Sequence, residues 1–273
     1  MPALLEDTYT LSDYPGAVSA EEFLRSLISA RSSALLLDFD GTLAPFEIDP
    51  SSVQPWPGIP ELLQQIQDTG RTHLAVFTGR PAQDVRRLLP LRIPLDVWGM
   101  HGAERLHPDG RLEREELDSR DARALTGVCE FLESIQLWPE IRIEHKWNAV
   151  VLHWRGISKR LSQSANEYAE DVLLPFTRDS SLQILPFDGG MELRSGRNKG
   201  NAVRMMLEEL PEEAPVAYLG DDVTDEDAFQ AMLGRGLSAL VRPRWRPSRA
   251  HLWLRAPVTL RRFLAGWLVA LLQ

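Results

Sequence analysis

The sequence contains one cysteine, Cys129, among 273 residues. An intrachain disulfide and a cysteine-based zinc site are therefore both excluded. Cys129 lies in the helical-looking stretch GVCEFLESI, where a thiol reads as a small buried core residue, and a reducing compartment fits such a chain. Positive charge is also scarce: 30 Lys and Arg stand against 39 Asp and Glu, for a formal net charge of −9. Nucleic-acid binding draws on many Lys/Arg contacts to phosphate, so no nucleic-acid partner is expected, whereas a small anionic ligand needs only a local concentration of positive charge. No apolar run reaches the ~20 residues that span a bilayer. The most apolar tail segment, FLAGWLVALLQ, reads as a final buried helix, and no membrane association is expected. The amino terminus, MPALLEDTYTLSDYPG, is acidic and lacks a basic region followed by an apolar one, so a signal peptide is not expected and a cytoplasmic location is. Internal repeats are absent, and a monomer is the working expectation.

What is present is ordinary for a globular protein: 44% apolar and 25% charged residues, in a length that suits one large domain or two modest ones. A disordered start is expected before Ser19, which with Glu22 three residues on resembles a capping box opening the helix AEEFLRSLISA. ALLLDF follows, a continuous apolar run typical of a strand covered on both faces. A helix near Pro60 to Asp68, the strand HLAVF, a helix near Ala82 to Leu89 and the strand LDVWG continue the alternation. That order predicts a parallel sheet with ligands at the carboxyl ends of its strands. From about Arg105 the pattern changes to a helix over Asp121 to Gln136, a hairpin IRIEHK/AVVLHWR, the helix KRLSQSANEYAEDVL and the strand SLQILPF. The α/β style resumes at Asn198 with NKGNAVRMMLEEL, PVAYLG, DDVTDEDAFQAM, LSALV, a Pro/Arg-rich loop and the tail helix. The reading gives an α/β core in two parts, 1–104 and 188–273, around an α+β insertion over 105–187.

The chemistry gathers at predicted strand ends. LLLDFDGTLAPF ends an apolar run in Asp38 and Asp40, which share a face of the strand and then meet a turn at Gly41-Thr42. Buried carboxylates need compensation, so positive charge is expected beside them. Turn capping, or the DxD motif of a metal-dependent sugar transferase, would also account for this segment alone. HLAVF runs into Thr78-Gly79-Arg80, which places a hydroxyl and backbone amides at the same edge, where they suit phosphate oxygens or form an ordinary Gly turn. Lys199 stands at a helix start, where the helix dipole disfavours a cation by ~0.3–1 kcal/mol. A nearby anion would remove that conflict, and the alternative points the side chain to solvent. In YLGDDVTDEDAF, Thr224 with Asp225, Glu226 and Asp227 could form a capped acidic first turn, but Asp221 and Asp222 follow a buried strand and have no such role. Converging carboxylates make a hard-oxygen site that suits Mg²⁺ better than zinc.

DFDGTL, TGR, NKG and GDDVTDEDAF, in this order, resemble the haloacid dehalogenase superfamily of phosphatases, over most of the chain from about Ala34 onward. The resemblance implies a Rossmann-like core with a C2B-type cap between the second and third motifs. It also implies Asp38 as nucleophile, Asp40 as acid/base, Thr78 and Lys199 as phosphate binders, and Asp221 with Asp225 as metal-site acids. The metal set expected around Mg²⁺ is Asp38, Asp40 (through its backbone carbonyl, by the resemblance), Asp221, Asp222 and Asp225.

The hairpin bears on the substrate. Arg142, Glu144 and Lys146 alternate to one side of one strand, with Val151, His153 and Arg155 an alternate set of the next, which makes either a ligand face or a solvated outer face. His101 in GMHGAE, and Glu192 with Arg194 in MELR, border the predicted domain junction, and mixed acids and bases there suit a polyhydroxylated, phosphorylated ligand. GMHGAE, the E-H-K and H-W-R hairpin, MELR before NKG, and GDDVTDE together resemble trehalose-6-phosphate phosphatases. The implied activity is hydrolysis of trehalose 6-phosphate to trehalose and phosphate, with another glycosyl phosphate such as mannosyl- or glucosyl-3-phosphoglycerate as the alternative. The expected substrate-binding residues are Thr78, Gly79, Arg80, His101, Glu144, Lys146, Arg155, Glu192 and Lys199. Trp147 and Trp154 could serve core packing or sugar stacking. A catalytically silent sensor has no need of the Asp38/Asp40 pair, and a glycosyltransferase would want a nucleotide-binding fingerprint that the chain lacks.

Overall fold

The structure, a computed structural model, describes residues 9–10, 19–47, 52–135, 138–187 and 189–273. The expected disordered start lies outside these apart from Tyr9–Thr10, as do Gln136, the expected end of the fourth helix, and Asp188 of the FDGG segment. The chain forms two compact units, one running to Arg114 and resuming at Arg197, the other Glu115–Gly196.

The first unit begins with β1 (Tyr9–Thr10), α1 (Ala20–Ser29), β2 (Ser33–Leu37), α2 (Ile59–Asp68), β3 (Thr72–Phe77), α3 (Ala82–Leu88), β4 (Asp96–Gly99), β5 (Glu104–Leu106) and β6 (Leu112–Arg114). The second contains α4 (Ser119–Ser134), β7 (Arg142–Lys146), β8 (Ala149–His153), α5 (Lys159–Leu173), β9 (Gln183–Phe187) and β10 (Gly190–Arg194). The first resumes with α6 (Lys199–Glu209), β11 (Val216–Gly220), α7 (Glu226–Ala231), β12 (Leu237–Val241), β13 (Leu252–Leu254) and α8 (Val258–Leu271).

In the first unit nine strands form one sheet in the order β1-β13-β12-β11-β2-β3-β4-β5-β6, parallel from β13 to β4 and antiparallel at both margins. β2 explains why the apolar run is unbroken. Leu35 and Leu37 enter a cluster with α1, α2, α3 and α8, while Ala34 and Leu36 enter a second cluster with α6 and α7. Helices thus cover both faces, and each fully buried Leu or Val contributes ~1.5–3 kcal/mol of transfer free energy. The capping box of α1 forms as expected, with Glu22 N donating to Ser19 Oγ and Ser19 N to Glu22 Oε2, both at 3.1 Å. No helix among the described residues is long and apolar enough to cross a membrane.

The second unit is an antiparallel sheet, β7-β8-β10-β9. One face, through Val150, Leu152, Met191 and Leu193, packs on Leu125, Val128 and Leu132 of α4 and on Ala165, Ala169 and Leu173 of α5. Trp154 belongs to this core and donates from Nε1 to Ser162 Oγ at 3.2 Å, which makes it a packing residue. Asp121, in the first turn of α4, is 2% exposed and accepts hydrogen bonds from Ser181 N and from the hydroxyls of Ser181 and Ser195.

Both ends of the second unit differ from the expected 105–187. β5 and β6, three residues each, pair onto the edge of β4 and keep the chain in the first unit to Arg114. MELR, expected at the start of the second core part, lies in β10, seated between β8 and β9, which carries the second unit on to Gly196. Strands of three residues are too short to show a period, and the glycines before MELR look like a break although Gly190 already pairs with Phe187 and His153 in the sheet.

Candidate active site

β11, β2 and β3 are adjacent and parallel, so the residues that follow them emerge at one edge of the sheet. Asp38 follows β2, Thr78 follows β3 and Asp221 follows β11. Lys199 is the first residue of α6, with Asn198 as its cap, and is 3% exposed rather than directed to solvent. Its Nζ donates to Asp38 Oδ1 at 2.6 Å and to Asp225 Oδ1 at 2.8 Å. These carboxylates remove the conflict between a cation and the helix dipole.

One oxygen each from Asp38, Asp221 and Asp225 lie within 4.8 Å of one another. Three acids therefore crowd around one ammonium. Burial pushes the Asp38 carboxyl up to about 7, against the charge of Lys199 and with further upward pressure from Asp225 and Asp40. Burial, then Asp38, Asp225 and Asp222, hold Asp221 well above the usual carboxylate range. Burial disfavours the Lys199 ammonium, but Asp225 and Asp38 outweigh it and hold its pKa far above that of a free lysine.

The cluster fits a hard divalent cation. Asp38 Oδ2 is buried and has no hydrogen-bond partner among the described residues, an arrangement costly for a carboxylate that has no further ligand. Asp221 Oδ2 lies against Gly41, which has φ +87° and at which a Cβ would come within 2.3 Å of that oxygen. Only glycine meets both demands of that turn. Asp38 and Asp221 thus supply oxygen donors with unmet charge. Asp225 differs: its Oδ1 accepts from Lys199 and, at 2.6 Å, from the Tyr218 hydroxyl, while its Oδ2 accepts from Asp221 N and Asp222 N at 3.0 Å. Its oxygens are taken up in holding the loop.

Asp222, also of the expected metal set, points elsewhere. Asp222 caps the 3-10 turn Val223–Asp225, accepting from Val223 N at 2.7 Å, and is not in the three-acid cluster. The cap of this segment is Asp222 and not Thr224, because the backbone turns one residue pair earlier than the charge pattern suggests. The Asp40 side chain is gripped by Arg80, with Nε to Oδ2 at 2.6 Å and Nη2 to Oδ1 at 2.7 Å. This two-point fork sets its orientation beside the Asp38 turn.

Thr78 is buried, its Oγ1 accepts from Arg80 N at 3.1 Å, and its carbonyl accepts from His101 N at 2.8 Å. His101 comes to Gly79 through an uncommon backbone: Met100 and His101 have φ +52° and +57°. A Cβ at Gly79 would lie 2.6 Å from His101 Nε2, so the TGR glycine leaves space for the imidazole. Left-handed non-glycine residues carry strain and gather at functional sites.

The second unit carries a polar face of its own. Register pairs Glu144 and Glu192 with Val151 on opposite sides of β8, and places Arg142 opposite His153. Glu144 Oε2 accepts from His153 Nε2 at 2.8 Å, while Glu192 accepts from Lys146 Nζ and Arg194 Nη1 at 3.2 Å each. Burial raises the Glu144 carboxyl, but the His153 hydrogen bond and the Lys146 charge outweigh it and hold it below the usual glutamate range. Arg155 lies past the end of β8, packed against the Gly189 turn. Lys146 and Glu192 come together, with Glu144 and His153 beside them on the same face.

Sequence reasoning missed three contributors. Tyr218 reads as one more apolar residue of β11, although the acids beyond the strand could have marked its hydroxyl. Arg242 and Arg246 of the Pro/Arg-rich loop donate to the carbonyls of Asp221 and Asp222.

Comparison with known proteins bears on this arrangement. The family profile described as trehalose-phosphatase matches residues 36–249. The trehalose-phosphate phosphatase of Mycobacterium marinum is 31% identical over 241 residues, covering 85% of this chain and 59% of that protein. The chain thus spans about three fifths of the length of such curated relatives. A crystal structure of a trehalose-6-phosphate phosphatase related protein is 26% identical with TM-score 0.67, covering 87% of this chain and 97% of that one. The C-terminal domain of C. albicans trehalose-6-phosphate phosphatase shares the fold at 19% identity, with TM-score 0.78 over 97% of this chain and 99% of that one.

Proposed function

Because this chain belongs to the trehalose-phosphatase family, we propose that it hydrolyses trehalose 6-phosphate to trehalose and phosphate. The observation that carries this reading is the buried Asp38 beside Lys199, with Asp38 Oδ2 lacking a hydrogen-bond partner among the described residues. Asp38 attacks phosphorus, the bond from phosphorus to the sugar oxygen breaks, and an aspartyl phosphate forms. Asp40 gives a proton to the leaving oxygen and later takes one from the water that cleaves the aspartyl phosphate. Arg80 holds Asp40 beside the Asp38 turn by donating to both its oxygens, and Asp40 gives up one of these hydrogen bonds when it carries a proton. Lys199 offsets the like-charge repulsion between Asp38 and the phosphate, and Thr78 offers its hydroxyl to a phosphate oxygen.

Asp38 and Asp221 would hold Mg²⁺, whose charge would offset that of the phosphate oxygens. Asp225 keeps Lys199 and the Asp221 backbone in place. Glu144, Lys146, Arg155 and Glu192 are assigned to the sugar, where carboxylates accept from hydroxyls and Lys/Arg donate. The free thiol fits work in a reducing cytoplasm.

Phosphate release across trehalose 6-phosphate, glucose 6-phosphate and glucosyl-3-phosphoglycerate, with Mg²⁺ or with chelator, tests the proposal. The expected result is a preference for trehalose 6-phosphate of ~10²-fold or more in kcat/KM, as hydroxyl-reading sites achieve, and loss of turnover on chelation. Equal turnover of glucose 6-phosphate would overturn the substrate assignment.

A further inference from the structure

The Pro/Arg-rich loop between β12 and β13 takes no part in the mechanism above, yet it reaches the carboxylates through their backbone. Arg246 Nη2 donates to the carbonyl of Asp222 at 2.8 Å and to that of Asp221 at 3.4 Å, and Arg242 Nη1 donates to the carbonyl of Asp221 at 3.1 Å. Arg246 is held in turn by Glu226, which pairs with its Nη1 and whose other oxygen accepts from Arg249 N at 2.8 Å. On the opposite side of the same two residues, Asp225 Oδ2 accepts from the N–H groups of Asp221 and Asp222. The backbone that presents Asp221 is therefore clamped at its N–H groups by a carboxylate and at its carbonyls by two guanidinium groups.

Such a clamp has work to do. Asp221 is 3% exposed and repelled by Asp38, Asp225 and Asp222, so without restraint its loop would relax by turning the carboxylate outward. A planar guanidinium meets both the Glu226 carboxylate and the backbone carbonyls, which an ammonium does less well. Glu226 also gains a purpose: it is the glutamate of GDDVTDE, and it fixes the arginine rather than a ligand.

We propose that Arg246, held by Glu226, is a positioning residue that keeps Asp221 aimed at the divalent cation. The proposal rests on the reading of the Asp38/Asp221 cluster as a cation site. It predicts that cation affinity depends on a side chain that touches neither cation nor substrate.

Calorimetric titration of the metal-free protein with Mn²⁺ tests it without recourse to turnover. Wild type is expected to bind one Mn²⁺. Arg246→Ala should weaken binding ~10-fold or more, within the 10–100-fold found when groups that orient metal ligands are removed. Arg246→Lys and Glu226→Gln should fall between that variant and wild type. Arg235→Ala is the control, since Arg235 braces carbonyls too, those of Ala214 at 2.9 Å and Pro211 at 2.7 Å, and its loss should leave Mn²⁺ affinity unchanged. Wild-type affinity in Arg246→Ala, while wild type itself binds, would overturn the inference and leave the cation site standing. Absence of Mn²⁺ binding to wild type would overturn both. Should Arg246→Ala fail to fold, wild-type affinity in both Arg246→Lys and Glu226→Gln would overturn it equally.

Discussion

Asp121 in the second unit and Asp221 in the first are buried to nearly the same degree, 2% and 3% exposed, and the protein treats them in opposite ways. Around Asp121, burial raises the carboxyl, but the Ser181 and Ser195 hydroxyls and Ser181 N–H outweigh it and hold the pKa below the usual range. Around Asp221, burial and three neighbouring acids all push upward, with Lys199 opposing. One carboxylate is satisfied by neutral donors and ties α4 to the residues flanking β9 and β10. The other is left with surplus negative charge. Burial alone does not distinguish a structural acid from a working one; the sign of what surrounds it does.

The widest separation between the units is expected in turnover. Asp38→Asn, which keeps the shape and removes the proposed nucleophile, should lower kcat by ~10³-fold or more. Glu192→Gln in the second unit should act mainly on KM, by ~10–100-fold, the scale of one lost charged hydrogen bond. Steady-state kinetics of the two variants on trehalose 6-phosphate compares them directly. A Glu192→Gln enzyme as dead as Asp38→Asn would erase the distinction between a reacting unit and a binding one.

The same contrast marks how far a sequence can be read. α5 over Lys159–Leu173 and β12 over Leu237–Val241 match the reading residue for residue, because amphipathic spacing and a short, mostly apolar run are local signals. Asp38, Thr78, Lys199 and Asp221 were legible for a related reason, since each stands where a predicted strand or helix meets its end. The different fates of Asp221 and Asp222 were not legible. Adjacent, identical side chains diverge only once the chain turns at Val223, and one then caps the turn while the other faces Asp38. The grip of Arg80 on Asp40 and of Arg246 on Asp222 joins residues 40 and 24 positions apart, beyond any local pattern.

A smaller effect is expected where Asp121 is neutralised. Asp121→Ala removes the acceptor for three donors and should cost ~2–4 kcal/mol in denaturant unfolding, within the range for a buried hydrogen-bond network. The pH dependence has a definite sign. The folded pKa is depressed, so the stability that ionised Asp121 contributes is present above its unfolded value near ~4 and is lost as pH falls through the folded value. The gap between wild type and Asp121→Asn should therefore be flat above about pH 5 and shrink below about pH 4. A gap that widens in acid would show that Asp121 is not held as an anion.

The smallest effect should run the other way. A carboxyl whose folded pKa is raised costs stability as pH climbs above its unfolded value, because the folded protein resists the ionisation that the unfolded chain undergoes freely. Asp221→Asn removes that cost in the metal-free protein, with a gain of ~1–2 kcal/mol near pH 7, or roughly 2–8 °C in thermal midpoint for a chain of this size. The gain should fade as pH falls toward the unfolded value near ~4, below which Asp221 is neutral in both states, and wild type should close the gap when Mg²⁺ is added, because the ion binds only the folded form of the acids. Thermal unfolding from pH 4 to pH 8, with and without Mg²⁺, reads all three trends. An Asn variant less stable than wild type at every pH would mean that Asp221, like Asp121, is satisfied from within, and the line between a structural and a working carboxylate would have to be drawn elsewhere.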